Sequence, residues 1–387
     1  ELGHLTLRTL IGKVPPGPSR TMHQSMSVTD YPTALDEGWA EHFEALVVDH
    51  SENPWLLGHQ RGKYADLIDT WVCEVDGHLR QLGVRRNLFV HDRPLPESAL
   101  APCPDPFKVW LEGETLGIFL LDRLKTGQAM LSCEGVIATL FYRVVTNHEL
   151  RNNWSEPDFY AQFLPPGTPV NDPKDHFSPY ENANLKLFAA MRQMARPVDP
   201  HRILLLDLVR AFATCFPREV STMYQILLET TWGATASREV AVALEALANQ
   251  GQTGHLVAFQ EGIDKATKAM RSLHADLLAG RIALDTNVGP ELWVLNKSFL
   301  VPKSAIRTDL RTIPLAVNLN TASVPELMSI DGIALDLARA IVAKRREVGF
   351  FRSINDLNDV EGNTHSLVES LREMQQQMGQ ANRYDRA

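Results

Sequence analysis

Cysteine is scarce: there are four in 387 residues, at Cys73, Cys103, Cys133 and Cys215, with no Cys-x-x-Cys pair. That spacing excludes a thiolate zinc site and a dense disulfide framework. A single Cys103–Cys133 bridge and free buried thiols both stay open. Long apolar runs are absent as well. The nearest candidate, Ile203–Phe216, is interrupted by Asp207 and Arg210, so no segment reads as a membrane span. No glycine-rich phosphate loop and no repeat period occur in the first 285 residues. Positive charge is not in excess either. A net charge of −9 argues against broad non-specific nucleic-acid binding and leaves that role to local basic patches.

What is present is an ordinary globular composition, 44% hydrophobic and 22% charged, in a chain long enough for two or more domains. One stretch stands out, Asp36–Leu46. Asp36 is a good helix N-cap residue, and Glu37, Glu41 and Glu44 fall on one face of the helix it would open. Trp39, Phe43 and Leu46 form a separate apolar stripe that anchors the helix in a core. The acidic face reads either as a solvated surface or as carboxylates turned toward a metal.

The first four residues, Glu1-Leu2-Gly3-His4, are what remains of His-Glu-x-x-His once its first histidine is removed. In that motif two histidines one turn apart bind zinc and the glutamate is a general base. The chain is therefore expected to be a fragment of a longer protein. Glu1–His4 followed by Glu37-Gly38-Trp39-Ala40-Glu41 resembles the gluzincin metallopeptidases, the thermolysin and aminopeptidase N group. The resemblance implies Glu1 as general base, His4 as a zinc ligand, Glu37 as the carboxylate zinc ligand and Glu41 as a partner orienting a ligand. It also implies a zinc cofactor and a peptide or protein substrate. The first histidine is absent, so zinc in this chain is expected to be weakly held or missing.

Gly12–Arg20, with three prolines, reads as a loop, and His23 as an ordinary loop histidine. Helical spacing recurs over Tyr64–Leu82, and Pro94–Pro106 breaks the pattern. Gln128–Val145 reads as one buried helix. Inside it, Glu134 is either structurally paired or turned to a polar cleft, and Tyr142 is a core tyrosine or an oxyanion donor. Asn182–Ala195, His201–Phe216, Val220–Thr230, Ser237–Ala248 and Leu256–Leu278 follow as helices. Leu292–Leu295 and Phe299–Val301 read as two short extended segments, a possible hairpin.

A second strong pattern starts at Asn318. Ser323 can N-cap, Pro325 falls in the first turn and Glu326 completes a capping box. Gly332 permits a sharp turn into the helix Leu335–Val348, and a shorter copy opens at Ser353. Asn318–Ser323, Glu326-Leu327, Asp331-Gly332-Ile333, Ala338–Arg345, Gly349-x-Phe351 and Asp356-Leu357 resemble the helix-hairpin-helix domain of the competence DNA-receptor (ComEA) type. That resemblance implies contact between hairpin N–H groups, at Gly332, Ile333 and Ala334, and the phosphates of double-stranded DNA. Lys344, Arg345 and Arg346 would form a basic edge beside it. Two departures are visible: Ala334 replaces the usual second glycine, and the second copy reads Gly362-Asn363-Thr364. Residues 318–378 carry six Lys/Arg against nine Asp/Glu, so a packing or protein-interaction role stays open beside DNA binding.

The expected fold is mainly α. A helical, metallopeptidase-like domain spans 1–285, a connector with short strands 286–317, the helix-hairpin-helix domain 318–378 and a disordered tail 379–387. The expected origin is bacterial, with cytoplasmic and exported locations both open. Two functions compete: a zinc metallopeptidase carrying a helix-hairpin-helix module, and a non-catalytic DNA-binding or scaffold protein.

Overall fold

The computed structural model describes residues 2–12, 14, 25, 28–50, 52–54, 83–92, 120–194, 203–295 and 316–384. Glu1, His23, Cys73, Cys103, the Tyr64–Leu82 and Phe299–Val301 segments and the Pro94–Pro106 break lie outside these residues. Among the described residues the chain is mostly helical, ending in a helix-hairpin-helix domain.

Helices α1 (Leu2–Ile11) and α2 (Tyr31–His50) lie together at the start. The sequence places the beginning of α2 at Asp36, but it starts a turn and a half earlier. Asp30 is the capping residue: its Oδ1 accepts from Thr33 N at 2.9 Å and its carbonyl from Ala34 N at 2.9 Å. Asp36 is therefore an interior residue, free to use its carboxylate elsewhere. Two glycines bring α2 close to its neighbours. A Cβ on Gly3 would lie 2.7 Å from Ala40 Cα, and one on Gly38 only 2.6 Å from both Glu134 O and Ile137 Cβ. The expected apolar stripe holds. Trp39 is fully buried, edge-on to Phe43 and Phe141 with ring centroids 5.0 and 4.9 Å apart.

The single helix expected over Gln128–Val145 is instead two, α3 (Gly127–Leu131) and α4 (Glu134–Thr146). The break at Ser132–Cys133 admits an extended segment. Thr29 N donates to Ser132 O at 2.8 Å, Gly135 N to Ser25 O at 2.8 Å, and Val28 bridges Cys133. Nothing in the local apolar spacing distinguishes such an insertion from a continuous helix. Strands β1 (His91–Asp92) and β2 (Leu120–Leu124) pair antiparallel beside these helices.

Short helices α5 (His148–Asn152) and α6 (Pro157–Ala161) lead to α7 (Pro179–Gln193), α8 (Leu204–Cys215), α9 (Val220–Thr230), α10 (Arg238–Gln252) and α11 (Leu256–Leu278). Leu7, Trp39, Ile137, Phe141, Leu187, Leu208, Phe212 and Leu227 belong to one continuous core. Inside it Lys186, fully buried, donates to Glu219 at 2.8 and 2.9 Å and to the carbonyls of Leu150 and Asn153. That buried ion pair is saturated with hydrogen bonds, the condition under which a buried charge is tolerated.

The C-terminal unit opens with β3 (Trp293–Leu295), whose partner is β4 (Ala316–Asn318), with Trp293 opposite Asn318. The sequence leaves Leu292–Leu295 and Phe299–Val301 open as a hairpin or as two extended segments; among the described residues the partner of β3 is β4. Leu292, Val294 and Val317 share a core with Leu327, Ile333, Ile341, Phe351, Leu357 and Leu371, so β3 is built into this unit. Helices α12 (Val324–Met328) and α13 (Leu335–Val348) form the first hairpin; a 3₁₀ helix (Ile354–Asp359) and α14 (His365–Tyr384) form the second. Equivalent residues are thirty apart: Ser323 and Ser353 both make capping boxes, and Gly332 and Gly362 turn at φ +88° and +79°. α14 continues to Tyr384, beyond the point where the sequence suggests a disordered tail.

Candidate nucleic-acid interface and metal-ligand pair

The first hairpin is set by Gly332, whose positive φ lets the chain reverse, and by Ile333, which is buried at 4% exposure and anchors the turn. Ala334 follows at φ −84°, ψ 170°. An alanine adopts that conformation without strain, so loss of the second glycine leaves the turn intact. Ala334 caps α13 without a side-chain acceptor for the N–H groups of the first turn. The other starts in this unit have acceptors: Ser323 for α12, Ser353 for the 3₁₀ helix, and Thr364, whose Oγ1 accepts from Leu367 N at 3.3 Å, for α14. Orphan N–H groups behind a glycine turn, at the positive end of the helix dipole, suit an anion. Asp336 sits in that first turn, fully exposed and 3.9 Å from Arg339.

The basic edge is mostly engaged within the chain. Arg345 is only 8% exposed, and its Nη1 donates to Leu319 O at 3.0 Å. Burial pulls its pKa down to about 10. It is a core residue, and the expectation of a surface cation there is corrected: the guanidinium lies under the Asn318–Thr321 turn, not beside a ligand. Lys344 pairs with Glu347 at 3.1 Å and Arg346 with Asp92 at 2.8 Å. Asn320, which the sequence reading does not single out, ties the two hairpins together. Its Oδ1 accepts from Phe351 N at 2.7 Å while Nδ2 donates to Phe351 O at 2.9 Å and Pro290 O at 2.8 Å.

At the other end of the chain the close approach of Gly3 to Ala40 brings His4 against α2. His4 Nδ1 lies 2.8 Å from Asp36 Oδ1, and its Nε2 lies 3.4 Å from Glu37 Oε2. Arg8 Nη2 approaches the second oxygen of Asp36 at 3.3 Å. Two donors on one tetrahedral zinc, at bond lengths of about 2.0–2.1 Å, stand roughly 3.3–3.4 Å apart. The His4–Glu37 separation equals that spacing and equally that of an ordinary imidazole–carboxylate contact, with Asp36 behind the imidazole on Nδ1. The carboxylate against His4 Nδ1 is Asp36, while Glu41, expected to orient a ligand, is buried with Oε1 accepting from Ser25 Oγ at 2.8 Å. Among the described residues no group of three or more His, Cys, Asp or Glu side chains could hold a metal.

Glu134 is fully buried in the first turn of α4. The Tyr142 hydroxyl is committed to Asp49 at 2.6 Å, and burial together with that carboxylate pushes its pKa up to about 12. Cys133 is a free, buried thiol, not half of a bridge, and Cys215 is free as well. No helix among the described residues is long and apolar enough to cross a membrane.

Residues 315–374 match the helix-hairpin-helix motif family. Over 63 residues the chain is 41% identical to the mouse endonuclease/exonuclease/phosphatase family domain-containing protein 1, a match covering 16% of this chain and 11% of that protein. The human protein of the same name is 40% identical over 62 residues, again 16% and 11% of the two chains. ComE operon protein 1 of Bacillus subtilis is 39% identical over 56 residues, 14% of this chain and 27% of that protein. These relatives are thus matched over about a tenth to a quarter of their own length. No solved structure matches. The C-terminal unit is a helix-hairpin-helix domain of ComEA-like sequence.

Proposed function

We propose that the helix-hairpin-helix unit binds the sugar–phosphate backbone of double-stranded DNA without reading sequence. The observation that carries this reading is the α13 N-terminus, whose N-cap Ala334 supplies no side-chain acceptor and which is presented behind the Gly332 turn. Backbone N–H groups of Gly332, Ala334 and Leu335 donate to phosphate oxygens, whereas Ile333 N is taken by Ile330 O at 3.1 Å; few phosphates are neutralised, so affinity is modest. The test is Leu335→Pro in the full chain. Proline is tolerated at the first helical position, and the extended conformation of Ala334 suits the residue before it. The substitution removes the N–H donor and exchanges a half-buried leucine side chain, for which Leu335→Ala is the control. Two duplexes of unrelated sequence should bind equally, and the variant should weaken both by about tenfold, the value of one hydrogen bond to a charged group. Unchanged affinity at unchanged stability sinks the reading.

A second reading rests on the His4–Glu37 pair. In a protein carrying the complete His-Glu-x-x-His motif, His4 and Glu37 would hold zinc with the missing histidine, and Glu1 would serve as base in peptide hydrolysis. Zinc would supply an activated water; Asp36 would keep His4 Nε2 directed at the metal. Metal analysis of that protein should find about one zinc per chain. Glu37→Ala should release it, and Glu1→Gln should keep it while stopping hydrolysis. A zinc-free protein ends this reading and leaves the first untouched.

A further inference from the structure

The seam where the C-terminal unit meets the helical body buries more polar groups than its hydrogen bonds satisfy. It is tied by Asn287, whose N donates to Thr235 O at 3.1 Å and whose Nδ2 donates to Ala234 O at 2.8 Å, and by the Arg346–Asp92 pair. Other polar groups there have no such tie. From the body come Tyr31, 3% exposed, and Gln128, 1% exposed. From the other side come Glu291, Trp293 and Asn318. The Tyr31 hydroxyl faces the Gln128 side chain, and the Glu291 carboxyl faces Trp293 and the Tyr31 backbone, but these buried atoms and Asn318 Nδ2 lack hydrogen-bond geometry to any partner among the described residues. A cavity of about 20 Å³ lies beside them, bordered by Val28, Trp293, Asn318 and Glu326. Donors and acceptors come from both faces, so separation would return every one of them to water.

We propose that this seam is a proton-operated latch: Glu291 enters it as a neutral carboxylic acid, and loss of that proton releases the C-terminal unit from α2. A carboxylate taken out of water without a cation is among the most costly groups to bury. The titratable groups facing Glu291 are Asp30 and Tyr31, both from α2, and Asp30 adds a like charge. Burial first, and then Asp30, push the Glu291 carboxyl up to about 8. Burial and then Glu291 hold the Tyr31 phenol well above its ordinary value, so it stays neutral throughout. Released into water, Glu291 returns to the ordinary carboxyl range. The docked state therefore carries one more proton between that range and about pH 8. Docking is at full strength below the ordinary carboxyl range, weakens across the window and is lost as the pH rises through about 8.

Hydroxyl-radical footprinting of the full chain from about pH 6 to pH 9, spanning that window, reads the latch residue by residue. Labelling of Trp293 and Tyr31 is expected to rise several-fold across this range as docking weakens, while Trp39, fully buried in the body, stays unlabelled. In Glu291→Gln, a neutral side chain of the same shape, both should stay protected across the range. Flat labelling in the wild-type chain overturns the proposal, and so does an equal rise in the variant. Labelling of Trp39 in step with Trp293 would mean general unfolding and overturns it as well. The wild-type titration decides the matter even if the variant folds poorly.

Discussion

Gly38 sits where α2 crosses α4 with no room for a side chain, and the two aspartates that precede it, Asp30 and Asp36, do different work. Gly38→Ala should cost about 1–3 kcal/mol in urea unfolding, because a Cβ would meet Glu134 O and Ile137 Cβ, a backbone atom and a branched carbon that cannot step aside. Asp30→Ala should cost about 1 kcal/mol as a lost cap, whereas Asp36→Ala should leave the start of the helix alone. Asp36→Asn, in a protein with the complete zinc motif, should instead weaken metal affinity by roughly 10–100-fold, measured by competition with a chelator. An interior aspartate that reads as a cap in the sequence is thus placed to orient His4. The misreading has a plain cause: Asp is favoured at N-caps, and nothing local distinguishes Asp30 from Asp36.

At the scale of elements, the two hairpins were legible because their signals are local. Capping boxes, a glycine at the turn and apolar positions three and four apart all fall within a few residues. The basic edge was not legible. Lys344, Arg345 and Arg346 adjoin in sequence, but a helix turns successive residues by 100°, which sends Arg345 into the core. Arg345→Ala should therefore lower the melting temperature of the unit, leaving the Leu319 carbonyl without its donor. Lys344→Ala with Arg346→Ala should change DNA affinity little at constant stability, since both cations are paired within the chain. A large loss of DNA affinity in that double variant would relocate the interface from the hairpin to the C-terminal half of α13.

At the scale of the molecule, a connector in sequence becomes part of a core in space. A C-terminal piece beginning at Asn318 lacks the core residues Leu292, Val294 and Val317, and with them β3 and most of β4. Such a piece should melt at a lower temperature than one beginning at Asn287, followed by circular dichroism. The seam beyond it joins the two units through polar atoms that are only partly satisfied, in contrast with the saturated Lys186–Glu219 pair inside the body.

Helix content, the Trp39 stripe and the paired hairpins could all be argued from residue types and spacing, because each rests on short-range periodicity or a compact motif; the nearness of His4 to Glu37 was an expectation of the gluzincin resemblance alone. Tertiary structure alone decided the break at Ser132–Cys133, the pairing of β3 with β4, the burial of Arg345 and the enclosure of Glu291. In each of these the partner comes from a distant part of the chain: Thr29 for Ser132, Ala316 for Leu295, Leu319 for Arg345, Asp30 for Glu291. Pairings of that range are settled when the core closes, and a single sequence carries no local mark of them.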